Sequence, residues 1–296
     1  MQKDGRVLYL TERNKENLYF NIPIANTTVI LLGTGTSITQ AAVRMLAQAG
    51  VVLGFCGGGG TPLYMGNDIE WLTPHSEYRP TEYLQGWLSF WFDEEKRFQV
   101  ARRLQYVRIE YLKKVWLADR ELKRSGFDMT DPFIVAALDN ARKSIGNATN
   151  TTALMTTEAQ LTKQLYKIAA RQNSINEFKR DRDATDKANG FLNHGNYLAY
   201  GLAATTLWVL GIPHGFAVMH GKTRRGALVF DIADLVKDAI VLPWAFICAK
   251  EEYSDQEFRQ QCLQAFTDHK SLEVMFDFIK EFSAKSKEII KGDLLP

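Results

Sequence analysis

The sequence predicts an α+β protein: a small β-rich, β-sandwich-like N-terminal domain over residues 1–72, a linker at 73–80, and a larger all-α domain over 81–296. Three observations carry this division. Short runs of β-branched and aromatic residues, bounded by turn residues, fill the first 72 positions. The stretch from Thr73 to Pro80 holds two prolines among polar residues, the composition of a linker. From Thr81 onward apolar residues recur at helical spacing almost without interruption. Strands first and helices after, without alternation, argue against a doubly wound sheet.

The elements follow in order. Arg6–Leu10, Asn17–Asn21, Thr27–Leu32 and Val51–Cys56 read as strands. Ser37 to Ala49 reads as a helix, with Ile38, Ala42, Met45, Leu46 and Ala49 on one side, Thr36 or Ser37 as N-cap, and Gly50 as its stop. Helical segments are expected at 82–124, 131–146, 155–182, 184–211, 230–250 and 255–291. In the last, Leu272, Met275, Phe276, Ile279 and Phe282 share a face that reads as core. The glycines at Gly33, Gly35 and Gly57–Gly60 invite a nucleotide-binding reading. However, Ile38 stands where a dinucleotide fingerprint needs glycine, no acid ends the second strand, and no Lys-Ser/Thr follows the glycine run. Both are read as turns.

Composition is that of an ordinary globular protein, with 46% apolar and 24% charged residues and a net charge of +2. Cys56, Cys248 and Cys262 show no zinc spacing, so buried thiols in a reducing compartment are expected. No signal peptide opens the chain, and the apolar stretch Leu198–Pro213 is too short and too interrupted to span a membrane. The expected location is cytoplasmic, with no membrane partner. Between Lys96 and Arg124 ten basic residues face only Glu110, Asp119 and Glu121, a footprint that suits a nucleic-acid track or a solvated helix face.

Chemistry concentrates in three stretches: Thr156–Gln160 with Glu158, His220 to Arg225, and Asp231 to Asp234. Asp231 and Asp234, three apart, share one helix face. Carboxylates and an imidazole suit a divalent ion, while Lys222, Arg224 and Arg225 suit a polyanion, so the pattern points to metal-assisted phosphodiester chemistry. Each member has a blander reading. Glu158 suits a helix dipole in the first turn, His220 a satisfied core position, and the two aspartates a helix start. The crowding of such groups around Ala227–Phe230 favours a site over those alternatives.

The histidine, basic turn, apolar run and Asp-x-x-Asp resemble the pattern of the CRISPR-associated integrase, the Cas-one family. Ile22–Thr28 and Gly33–Ser37 resemble the N-terminal domain of its subtype I-F branch, and Asn189–Tyr197 resembles the family's Asn-rich helix. The chain opens closer to its first strands than that resemblance leads one to expect, so a short or different start is anticipated. The resemblance implies a metal triad of Glu158, His220 and Asp234 holding Mg²⁺ or Mn²⁺, with Asp231 beside the ion or behind its ligands. It implies DNA-backbone contacts from Lys222, Arg224 and Arg225. It also implies an integrase and endonuclease in which the 3′-hydroxyl of captured double-stranded DNA attacks a CRISPR repeat phosphodiester. A homodimer is implied, paired with a Cas-two component fused to a helicase-nuclease. The competing readings are a non-catalytic DNA-binding assembly scaffold and a nicotinamide-binding enzyme built on Gly33–Ile38.

Overall fold

The structure, a computed structural model, describes residues 1–3, 6–13, 16–62, 69–73, 79–175, 178–181, 183, 186–221 and 226–284. The linker assigned to 73–80 falls largely on 74–78, and the tail of the last helical segment falls on 285–291; both lie outside the described residues, as do Lys222, Arg224 and Arg225. Two compact units divide the chain, Met1–Arg79 and Pro80–Pro296.

In the first unit β1 (Gln2–Lys3), β2 (Arg6–Arg13) and β3 (Glu16–Ile22) form an antiparallel sheet, with Val7 opposite Ile22 and Tyr9 opposite Phe20. A second sheet pairs β4 (Val29–Leu32) in parallel with β5 (Val52–Phe55). Its third strand, β6 (Glu70–Leu72), runs antiparallel to β5 and was not foreseen. At three residues β6 is too short to carry an alternation signal. The crossover between β4 and β5 is α1 (Gln40–Gln48), capped by Thr39, whose hydroxyl accepts from Ala42 N–H at 3.3 Å. The expected caps Thr36 and Ser37 precede it, because the chain first turns at Gly35 in a left-handed conformation (φ 79°). Val7, Ala42, Leu46, Val51 and Leu53 form the core of this unit.

The second unit is built of helices and connecting loops, with no strand among its described residues. The expected single segment 82–124 is three helices: α2 (Glu82–Trp91), α3 (Glu94–Ala118) and α4 (Arg120–Arg124). Each break falls at an aspartate whose carboxylate caps the next helix. Asp93 accepts from Lys96 N–H, and Asp119 from Glu121 and Leu122 N–H. α5 (Pro132–Asn147) leads to α6 (Thr151–Gln172), which starts four residues earlier than expected because Asn150 caps it. α7 is Lys187–Val209. The expected helix 230–250 is α8 (Ala227–Val236), a π-helical turn (Lys237–Val241) and α9 (Leu242–Lys250). α10 (Asp255–Asp268) and α11 (Ser271–Ala284) separate at Lys270, whose φ of 57° no helix continues. Of the face expected to be core, Met275, Ile279 and Phe282 are buried, Phe276 is half-buried, and Leu272, in the first turn of α11, is exposed. No helix among the described residues is long and apolar enough to cross a membrane, and all three thiols are free and buried.

Candidate metal centre

Four elements of the helical unit converge on one spot. α6 brings Glu158, the loop before α8 brings His220, α8 brings Asp231 and Asp234, and α3 lies alongside. One ligand atom from each of Glu158, His220 and Asp234 falls within 4.8 Å of the others. Glu158 stands eight residues beyond its N-cap, two turns into α6, so the helix-dipole reading loses its physical basis. Asp231 and Asp234 lie mid-helix and are not caps; α8 is entered through Gly226 in a left-handed conformation instead.

The loop carrying His220 is pinned from two sides. On one, the indoles of Trp87 and Trp91 donate to the carbonyls of Phe216 (3.0 Å) and Ala217 (2.7 Å). On the other, the wholly buried Asp231 carboxylate accepts the backbone N–H groups of Val218 (2.7 Å), Met219 (3.1 Å) and His220 (3.0 Å). It also meets His220 Nδ1 at 2.6 Å. With Nδ1 occupied by a carboxylate, Nε2 is the nitrogen left to ligate, 3.9 Å from Asp234 Oδ2. Asp231 therefore orients the histidine rather than facing the triad itself.

Behind the acids lies a charge network that the sequence did not disclose. Arg108, buried on α3, binds Asp238 through Nε (2.9 Å) and Nη2, donates to Thr162 Oγ1 (2.8 Å), and lies 3.7 Å from Glu158 Oε1. Gln105, one turn earlier, donates to Glu158 Oε2 (3.5 Å) and approaches the Met219 sulfur (3.2 Å). Lys237 pairs with Asp234 Oδ1 over the Tyr200 ring. Three cations of the 96–124 window are engaged within the fold: Arg97 and Arg102 donate to the carbonyls of Trp91 and Ala148, and Arg108 lies behind Glu158.

Asp234 Oδ2 decides whether these residues fit a divalent ion. It is buried, carries no hydrogen-bond partner among the described residues, and belongs to a carboxylate that is kept charged. Burial opposes that charge, but Lys237, His220 and Arg108 outweigh it and hold the carboxyl below its ordinary range. Native buried oxygens are almost always satisfied, so an unpaired one beside an imidazole and a second carboxylate fits a divalent cation. Burial and the neighbouring Asp234 charge push Glu158 up to about 7 against the pull of Arg108. Burial disfavours a charged His220, yet the Asp231 hydrogen bond and the Asp234 charge raise its affinity for a proton.

The folded value of Glu158 lies above its ordinary 4.5, so in the metal-free protein its contribution to stability is full at low pH and is lost as pH rises toward about 7. A cation reverses this by displacing the proton. Mn²⁺ affinity should therefore climb roughly tenfold or more per pH unit on approaching pH 7 and level off above it. Titrations between pH 5.5 and 8.5 read this directly, and a flat profile would contradict it.

The chain matches the family model described as CRISPR associated protein Cas1 over residues 1–281. It is 53% identical to the CRISPR-associated endonuclease Cas1 of Pectobacterium atrosepticum, over 97% of this chain and 90% of that one. It is also 53% identical to the protein of that name in Pseudomonas aeruginosa, over 95% and 89%. Among solved structures, a CAS1 protein from Thermotoga maritima shares the fold with a TM-score of 0.67, at 17% identity, over 100% of this chain and 95% of that one.

Proposed function

The chain belongs to the Cas1 family, and from that premise we propose that it is a metal-dependent DNA endonuclease and integrase. It inserts captured double-stranded DNA as spacers into a CRISPR array. The observation that carries this reading is the meeting of Glu158, His220 and Asp234, with one Asp234 oxygen buried and unpartnered among the described residues. These three residues hold Mg²⁺ or Mn²⁺, oxygen donors suiting the first and the added imidazole the second. When bound, the ion polarises phosphoryl oxygens and lowers the cost of activating an attacking hydroxyl.

The chain's own groups do the rest. Asp231 keeps His220 Nε2 turned toward the triad, and Lys237 keeps Asp234 ionised. Arg108 and Gln105 orient Glu158 from behind. Lys222, Arg224 and Arg225 supply backbone contacts to the DNA in this reading, neutralising phosphates. Affinity for DNA therefore falls steeply with salt. The same reading takes the β-rich unit and the helical catalytic unit as two domains joined at 73–80. The assembly is a homodimer of the I-F kind working with a Cas-two component fused to a helicase-nuclease.

The testing experiment joins a labelled DNA fragment to a repeat target, with and without Mn²⁺, EDTA and the Cas-two partner. Metal-dependent joined product is expected. DNA binding with no EDTA-sensitive cleavage or joining would favour the scaffold reading instead.

A further inference from the structure

We propose that Trp116 is a positioning residue for this metal centre. Its indole N–H holds the carbonyl of Ala239 and thereby fixes the π-helical turn that aims Lys237 at Asp234 and Asp238 at Arg108. The proposal rests on the metal-centre reading above.

The argument starts at Pro243. Its ring nitrogen carries no hydrogen, so the carbonyl of Ala239, four residues earlier, lacks the donor an α-helix would supply. Just upstream the helix has already widened, since Leu242 N–H reaches back five residues to Lys237. Ala239 is buried, so water does not serve its carbonyl. Trp116 serves it, with Nε1 3.0 Å from the oxygen and a ring that is itself buried and set edge-on against Phe127.

Trp116 stands on α3 eight residues beyond Arg108, a little over two turns further along, and both are buried. α3 therefore grips the π-turn twice, by its backbone through Trp116 and by the Asp238 side chain through Arg108. The π-turn matters because Lys237 and Asp238 are chain neighbours with different tasks. Lys237 reaches back three residues to Asp234, while Asp238 reaches across to the arginine behind Glu158. A π-turn adds one residue to the helical register, and such turns recur at functional sites. Slippage here would carry both side chains away from their partners together. A tryptophan that only filled space would not need its N–H.

The test replaces Trp116 in the full chain by benzothienylalanine, which keeps the ring shape and exchanges the N–H for sulfur. Phe127→Leu, which loosens the same packing without touching the hydrogen bond, is the control. Free Mn²⁺ is read by electron paramagnetic resonance, and amide hydrogen exchange over 237–242 is read in metal-free protein. The analogue should bind Mn²⁺ roughly tenfold more weakly, the order seen when groups behind metal ligands are removed, and exchange faster over 237–242. Phe127→Leu should leave Mn²⁺ affinity as in the wild type.

Unchanged affinity or unchanged exchange in the analogue would overturn the proposal, as would an equal affinity loss in Phe127→Leu. Failure of the wild-type chain to bind Mn²⁺ would instead remove the metal reading. The exchange measurement would still show whether Trp116 holds the turn.

Discussion

Glu158→Gln should abolish strand joining while leaving the fold intact. The side chain is partly exposed, and without metal its carboxyl is pushed up to about 7, so near neutrality the protein already holds an uncharged group there about half of the time. Glutamine keeps the shape and forfeits the anionic ligand. Stability should change by less than about 1 kcal/mol, as for a shape-preserving change at a partly solvated site. Joining should fall by roughly a thousandfold or more, since a single preorganised electrostatic contributor is already worth about 10² to 10³.

Asp234→Asn removes activity as thoroughly but costs the fold more. Its loss leaves the Lys237 ammonium without its carboxylate; that side chain is 22% exposed, so the cost falls below the about 3–5 kcal/mol of a fully buried pair. Denaturant unfolding beside a joining assay separates the two variants. Wild-type joining by Glu158→Gln in Mn²⁺ would sink the ligand assignment.

Asp231→Ala carries the second large effect, on a different link of the chain of causes. One wholly buried carboxylate satisfies three consecutive backbone N–H groups and the His220 ring. Alanine leaves those buried donors without a partner, each costing on the order of 1–3 kcal/mol. A total near 4 kcal/mol is expected after local relaxation, which is a large part of the stability of an ordinary domain. Asp231→Asn should lie between, because its amide oxygen still accepts while its nitrogen cannot. In that variant His220 loses the carboxylate that fixes which nitrogen faces the triad, so metal affinity should drop even where the fold survives. Urea midpoints and Mn²⁺ titrations of both variants check this. Wild-type stability in Asp231→Ala would show that the loop is held by other means.

The part of the centre legible in the sequence was the part contiguous in it. His220, Asp231 and Asp234 lie within fifteen residues, and the i, i+3 spacing of the aspartates stated their common face. Yet that spacing does not separate their roles. Asp231 turns toward the loop behind it and Asp234 toward the triad, a difference set by backbone N–H groups that carry no residue identity. Glu158 was the weakest member on its own residues and was singled out by resemblance, because the Asn150 cap that moves it two turns into α6 competes with several polar residues nearby.

Arg108 was hidden among nine other cations. One signal could have found it: Ala101, Leu104, Arg108, Leu112 and Val115 follow the apolar stripe of α3, and a charge on a core stripe is the informative exception. Asp238 and the π-turn had no such signal, since α8 through α9 is buried on every side and shows no periodicity to break. The fold was clearer where turn chemistry is unambiguous, as at Gly35 and Gly50, and least clear where an aspartate inside a helical pattern starts a new helix, as at Asp93 and Asp119.

The most direct measurement is a Mn²⁺ titration followed by electron paramagnetic resonance on the wild-type chain and on Glu158→Gln, His220→Ala and Asp234→Asn. Saturable binding in the wild type, weakened at least tenfold in each variant, is the expected result. Equal binding by all four proteins would contradict the assignment of Glu158, His220 and Asp234 as the metal centre.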